Sequence, residues 1–256
     1  MTIPADRAEA GRATMLELFP EGFEEDERPG VLELAAYTDA AGATRLWRAF
    51  GEYSWSEVPE DWQHRWREFH RAVSVGPLWI GPPWLNPRDD AITVVIDPGR
   101  AFGTGAHPTT QLCLAFLVEL AAAGGSLLDV GCGSGVLGIA AAKLGFAPVI
   151  SVDHDEVTLE AAAENAGANG VDLDVRLIEA LEDELPRTET AVANISASVI
   201  EVAAPRIRAR RLVTSGYLAR EKLTLDHHHP VERRELDGWA ADLWESSAPG
   251  PRDNAQ

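Results

Sequence analysis

The apolar run Leu127-Leu128-Asp129-Val130 leads straight into Gly131-Cys132-Gly133-Ser134-Gly135, and a helical pattern begins at about Val136. Glycines let a backbone turn sharply and approach a ligand with no Cβ in the way. In an open α/β sheet such a strand–turn–helix unit holds ligands at the carboxyl ends of the strands, where strand order reverses. The next apolar run, VISVD, ends in Asp153, an acid placed to accept hydrogen bonds from both ribose hydroxyls of an adenosine. Two cofactor classes compete for this arrangement. Gly133 through Gly138 satisfies G-x-G-x-x-G, with Asp153 about 20 residues on, as a dinucleotide site requires. Against that, the strand ends at Val130, two residues too early, and the carboxylate of Asp129 would repel a pyrophosphate. It would attract the ammonium and sulfonium of S-adenosylmethionine, through the local field or a bridging water. The residues favour a methyl donor.

A second glycine segment precedes the first. It runs Asp97-Pro98-Gly99-Arg100-Ala101-Phe102-Gly103-Thr104-Gly105-Ala106-His107-Pro108-Thr109-Thr110, at the mouth of an expected helix. Thr109 or Thr110 can cap that helix, and a helix start is a good place to meet a carboxylate. A later strand ends at Asn194-Ile195-Ser196-Ala197, placing an amide on the same side of the sheet. Asn194 can accept a hydrogen from an acceptor amine, and the Ile195 carbonyl a second; the plainer role for Asn194 is a helix N-cap. His107 is the nearest candidate base, or an organiser of its own loop. His227-His228-His229 and the two cysteines, Cys113 and Cys132, have no metal-ligand spacing, so no metal is expected; the histidines read as a solvated loop.

These residues need a scaffold, and the pattern supplies one. From Ala91 onward short apolar strands alternate with helices: Ile92–Ile96, Leu127–Val130, Val149–Val152, Val175–Ile178, Ala191–Asn194 and Leu212–Thr214, with helices at Pro108–Ala123, Val136–Leu144, Glu156–Asn169 and Ala197–Ile207. That alternation marks a parallel sheet covered on both faces, with closing strands near Val231–Glu235 and Trp239–Trp244. Ahead of it, six of the eight tryptophans lie in the first 84 residues, suggesting a segment with its own core. Residues 1–55 read as a small α+β domain: a helix over Pro4–Leu18, a strand near Val31–Tyr37, a helix around Ala41–Phe50 and a strand near Tyr53. Residues 56–87 read as a linker, a helix carrying Trp62, Trp66 and Phe69 on one face followed by the extended, proline-rich VGPLWIGPPWLNP. Residues 88–247 form the main domain and 248–256 a disordered tail.

The formal charge of −19 argues against nucleic acid as a direct partner and suits a basic protein. No apolar run approaches the roughly 20 residues of a transmembrane helix, and the start lacks a signal-peptide pattern. A cytoplasmic protein without membrane contact is expected.

The stretches DPGRAFGTGAHPTT, LLDVGCGSGVLGIAAAKLG, the acid of SVDHD, ENAGANGV and VANI resemble the bacterial methyltransferases that modify large-subunit ribosomal protein L-eleven. WQHRWREFH and VGPLWIGPPW are similar to that family's linker. The resemblance implies a Rossmann-like, mostly parallel seven-stranded sheet, S-adenosylmethionine as donor, and N-methylation of lysine or N-terminal amines of that basic ribosomal protein, with residues 1–55 as the recognition domain. Carried onto this sequence, the family's cofactor contacts fall on Thr110, Gly131, Asp153 and Asn194. The residues themselves add Phe102, Gly103, Thr104, Gly105, Asp129 and Gly133, and Asn194 is the expected catalytic residue. The sequence departs from the family at Ser196, where N-I-L-A is usual. Other readings are the same chemistry on another protein or a small amine, a dinucleotide-dependent oxidoreductase, or a ligand sensor without catalysis.

Overall fold

The computed structural model describes residues 71–98 and 103–247 continuously and residues 1–54 in part. The chain divides into two compact units, Met1–His64 and Arg65–Gln256.

In the first unit, β1 (Thr2–Pro4), β2 (Glu24–Arg28) and β3 (Val31–Ala35) form an antiparallel sheet in the order β1-β3-β2. Leu32 and Leu34 alternate with Val31 and Glu33 and point to one face, as the two-residue period of a strand requires. They join Ala8, Met15, Phe19 and Leu46 in a small core. Leu46 comes from helix α1 (Ala40–Phe50). Two features depart from expectation. Pro4, the first residue of the expected Pro4–Leu18 helix, instead ends a strand, because Thr2, Ile3 and Pro4 pair with Glu33, Leu32 and Val31. Strand β2 carries the sequence EEDER, which has no apolar alternation to announce it and exists through pairing with β3. The expected strand near Tyr53 and the Trp62–Phe69 helix lie outside the described residues.

The second unit opens with β4 (Val73–Val75), β5 (Leu78–Gly81) and β6 (Ile92–Val95). β4 and β5 pair antiparallel and β5 pairs parallel to β6. Two corrections follow. The described part of the expected linker is not a spacer, since Leu78, Trp79 and Ile80 are buried and Leu78 and Ile80 belong to the main core. And β6 is not a strand of the large sheet, because its neighbour is β5.

After helix α2 (Pro108–Leu120) come β7 (Leu127–Val130), α3 (Val136–Lys143), β8 (Val149–Asp153), α4 (Glu156–Asn169), β9 (Asp174–Leu177), β10 (Thr188–Asn194), α5 (Ala197–Ala203), β11 (Ala209–Leu218), β12 (His228–Leu236) and β13 (Trp239–Ser246). The seven strands form one sheet in the order β12-β13-β11-β10-β7-β8-β9. Strands β9, β8, β7, β10 and β11 run parallel to their neighbours, and β13 pairs antiparallel with both β11 and β12. Strands β7 and β8 are buried throughout, as expected where helices cover both faces. Leu127 and Val149 enter one core layer and their neighbours Leu128 and Ile150 the other. Strand order reverses between β7 and β10, and there the two strands' carboxyl ends diverge into a crevice. His228 and His229 lie in β12 rather than in a loop. The proline beside them, Pro230, is accommodated because β12 is an edge strand that bulges between Pro230 and Glu232.

Candidate active site

The crevice holds a cavity of about 450 Å³, within the usual range for small-molecule sites. Its floor is the turn after β7. Gly131, Gly133 and Gly135 all have positive φ, at 70°, 55° and 79°, a region that other residues enter at a cost. Gly131 is further constrained from across the switch point, since a Cβ there would stand 2.5 Å from Ile195 Cγ2. Backbone bonds from Gly131 N and Cys132 N to the Val152 carbonyl, at 2.9 and 3.1 Å, hold the turn against β8.

Asp153, the last residue of β8, lies on the wall. Its Oδ2 accepts the Gly133 N–H at 3.1 Å, and its Oδ1 accepts those of His154 and Asp155 at 2.8 and 3.3 Å. The carboxylate is thus fixed by three backbone donors, and Oδ2, with one of them, has capacity for a further hydroxyl. Across the cavity, Asn194 at the end of β10 donates its Nδ2–H to Thr110 Oγ1 at 3.3 Å. That bond fixes the amide orientation and leaves Oδ1 unpartnered among the described residues.

Thr110 belongs to the first turn of α2, and the cap of that helix is His107. Its Nδ1 accepts the Thr109 N–H at 3.4 Å and lies 2.7 Å from Thr109 Oγ1. Burial lowers the His107 pKa, favouring the neutral ring that such an acceptor role needs. The threonines expected to cap the helix are instead buried behind a histidine that caps it. His107 stacks edge-on against Trp239 at 4.7 Å and is not part of the cavity wall, so it orders the loop.

Gly103, Thr110, Gly131, Gly133, Asp153 and Asn194 therefore come together around one cavity. Thr104 and Gly105 are outside its wall; Gly105, at φ 90°, turns the chain beside Ile80, whose Cγ2 a Cβ would meet at 2.5 Å. Phe102 lies outside the described residues. Asp129 is the correction of most consequence. It was expected at the ligand, but the alternation of a strand turns it to the helix face with Leu127, where it is only 1% exposed. Its Oδ2 accepts the Gly138 N–H from the first turn of α3 at 3.0 Å. Burial pushes its pKa up to about 7, against the opposing Gly138 bond and with help from the charge of Asp153.

Several positioning residues carry no signal in the glycine motifs. Asn169 lies along the free edge of β6, where its Nδ2 donates to the Val95 carbonyl at 2.6 Å and its Oδ1 accepts the Val95 N–H at 2.9 Å. One side-chain amide thus replaces a neighbouring strand. Asn165, one turn earlier, accepts the Asp97 N–H at 3.1 Å and donates to the Ser134 carbonyl at 3.0 Å. Ser134 Oγ donates to the Gly103 carbonyl. Asn165 and Ser134 thus clasp the two glycine segments together, and Asn169 ties β6 to the same helix. The available clue was a pair of asparagines four apart within a helix, a type poor at helix formation. Glu179, Ala180 and Leu181, just past β9, complete the wall; the rule that ligands sit beyond carboxyl ends of strands pointed there.

Read from β9, the strands stand in the order third, second, first, fourth, fifth, seventh, sixth, with the reversed seventh inserted before the sixth. A dinucleotide-binding sheet has the simple order 3-2-1-4-5-6. The sheet and its glycine crevice define the Rossmann-like fold of the S-adenosylmethionine-dependent methyltransferases. Within that class, the chain belongs to the family described as Ribosomal protein L11 methyltransferase (PrmA), whose model matches residues 23–245. A ribosomal protein L11 methyltransferase of Symbiobacterium thermophilum is 42% identical over 205 residues, covering 75% of this chain and 67% of that protein. One of Aeromonas hydrophila is 44% identical over 151 residues, covering 58% and 52%. The matches thus span between about half and two thirds of these relatives' length. The crystal structure of a ribosomal protein L11 methylase from Lactobacillus delbrueckii subsp. bulgaricus superposes with a TM-score of 0.59 at 26% identity, covering 69% of this chain and 99% of that one.

Proposed function

We propose that this chain transfers methyl groups from S-adenosylmethionine to lysine or N-terminal amines of ribosomal protein L11. The observation that carries the reading is the Asn194–Thr110 pair, which leaves one amide oxygen of a fixed side chain at the cavity, opposite Asp153. The residues fit the donor: Asp153 can take the ribose hydroxyls, and Gly131 and Gly133, on the lining, present no side chain to the cavity.

When bound, the donor supplies a methyl group already activated on a sulfonium. The protein's work is then positioning, which can account for most of the rate. A free lysine has a pKa near 10.4, so the amine must shed a proton before attack. The wall of Val130, Val136, Val152, Ile178, Ile195 and Val199 disfavours the charged form by desolvation. Asn194 Oδ1 accepts one amine hydrogen and thereby aims the lone pair. The Ile195 carbonyl does not serve as a second acceptor in this reading, because it is packed against Gly216, where a Cβ would stand 2.2 Å from it.

The charge of −19 supports a basic protein acceptor and disfavours nucleic acid. Cytoplasmic action is part of the proposal; among the described residues no helix is long and apolar enough to cross a membrane. The experiment is to incubate the chain with isotopically labelled donor and purified L11, then locate the label by mass spectrometry. Label on L11 amines, lost in Asn194→Ala while donor binding is kept, is the expected result. Donor binding without any label in L11 would overturn the acceptor.

A further inference from the structure

A second cavity, of about 430 Å³, lies at the opposite end of the same strands. It sits where β10 and β11 begin and β13 ends, roughly 20 Å along β10 from Asn194. Its floor is apolar, from Ala204, Pro205, Ile207 and Ala209, and its cationic rim is Arg187, Arg208 and Arg210. In a chain with 41 acidic and 22 basic residues, this is a local inversion of charge. Glu189 is the one acid of the lining, and Glu184, outside it, reaches Arg208 at 3.4 Å.

The register makes the inversion deliberate. Thr188 pairs with Ala209 across two parallel strands, so Arg187 and Arg208 stand side by side at the strand entrances. Like charges side by side on neighbouring strands repel, and an anion seated between them would relieve that repulsion. Arginine forks are matched to carboxylate and phosphate. His228, also on the wall, has a buried Nε2 with no hydrogen-bond partner among the described residues, a polar atom of the kind an unseen water or ligand satisfies.

We infer that this cavity is a binding site for a small amphipathic anion, an apolar ring or chain that carries a carboxylate or phosphate. The apolar floor takes the body and the arginine rim takes the charge. Because the site opens at the amino ends of the strands, it fills independently of the crevice at their carboxyl ends.

The test is fluorescence titration of the full chain with 8-anilino-1-naphthalenesulfonate, an aromatic anion whose emission rises in apolar surroundings. Saturable binding is expected, unchanged by excess S-adenosylhomocysteine. The double variant Arg187→Glu, Arg210→Glu should weaken it at least about tenfold, the loss of one charge-assisted bond. Both side chains are exposed, so the variant's thermal midpoint should match that of the wild type. Displacement by 1-naphthyl phosphate or by 2-naphthoate distinguishes a phosphate from a carboxylate ligand. Absence of binding, equal binding by the variant, displacement by neither compound, or displacement by S-adenosylhomocysteine would each overturn the site. Displacement by S-adenosylhomocysteine would place the probe in the other cavity, whereas the arginine substitutions do not touch that cavity and their outcome is independent of whether it takes a methyl donor.

Discussion

Asp129→Asn should make the protein more stable, and increasingly so as pH rises. Asp129 is a carboxyl whose value in the folded chain, about 7, stands above its ordinary 3.8. Between those values the unfolded chain holds it ionised while the folded chain holds it protonated. The folded state then binds more protons, so this group's contribution to stability falls as pH rises and levels off above pH 7. The cost is roughly 2 kcal/mol at pH 5.5 and roughly 4 kcal/mol at pH 8.5. An asparagine keeps an oxygen for the Gly138 N–H and carries no charge. Its amide hydrogens have a candidate acceptor in Ser151, which pairs with Asp129 in register and whose buried hydroxyl has no partner among the described residues. Urea unfolding of both proteins at the two pH values gives the difference directly, and contributions from other groups largely cancel. The gap between variant and wild type should widen by about 2 kcal/mol from pH 5.5 to 8.5. A gap that stays constant, or shrinks, would mean that Asp129 is already ionised at pH 5.5 and that its burial has been misread.

In the proposed site Asp153→Ala removes the charge-assisted bonding to the ribose hydroxyls, about 1.5–3 kcal/mol per bond, so donor affinity by calorimetry should fall at least about tenfold; unchanged affinity would remove Asp153 from the site. S-adenosylhomocysteine should raise the thermal midpoint while NAD and NADP leave it alone, since only a ligand of the native state stabilises it; a shift with the dinucleotides alone would reverse the donor assignment. Asn169→Leu strips both partners from Val95 and should cost about 1–3 kcal/mol, with faster amide exchange at Val95 than in the wild type; unaltered exchange would show that β6 does not depend on this side chain. A chain beginning at Arg65 should keep donor binding and lose methylation of L11, as a separate recognition unit requires; methylation at the full-length rate would assign acceptor choice to the second unit.

Much of the large sheet was legible because doubly covered parallel strands are apolar at most positions and lack the polar alternation of a half-exposed strand. LLDV and VISVD announce themselves on that ground, and the glycines that follow LLDV mark where the chain turns. Edges were harder. β2 is five residues of charge that become a strand only because β3 offers its hydrogen bonds, and no local pattern records that offer. β6 has the right alternation, yet its membership of the smaller sheet is decided by β5 on one side and by the amide of Asn169 on the other. The cavity-lining residues beyond the glycine turns were legible by position and not by type. Asp129 was placed correctly in sequence, but the direction of its side chain follows from strand parity, which puts Asp129 with Leu127 and away from the crevice.

The G-x-G-x-x-G match is where two chemistries share one string of residues, and physical position separates them. The third glycine, Gly138, does what the motif's third glycine does elsewhere, which is to let a helix lie close on its strands: a Cβ there would stand 2.5 Å from Ser151 Oγ. That contact is a requirement of packing and says nothing about the ligand. The ligand class is set by what else the close approach brings together. Here it brings Gly138 N–H onto a buried carboxyl, Asp129, and the turn above it onto a second, Asp153. A pyrophosphate at that helix start would face the Asp153 carboxylate and find the Gly138 N–H already taken by Asp129, where it needs bare N–H groups. A cationic donor would meet the Asp153 carboxylate at the wall with profit. The insertion of β13 between β11 and β12 is independent of all these contacts and counts against the same alternative, so the proposed donor does not rest on the glycine string that first suggested it.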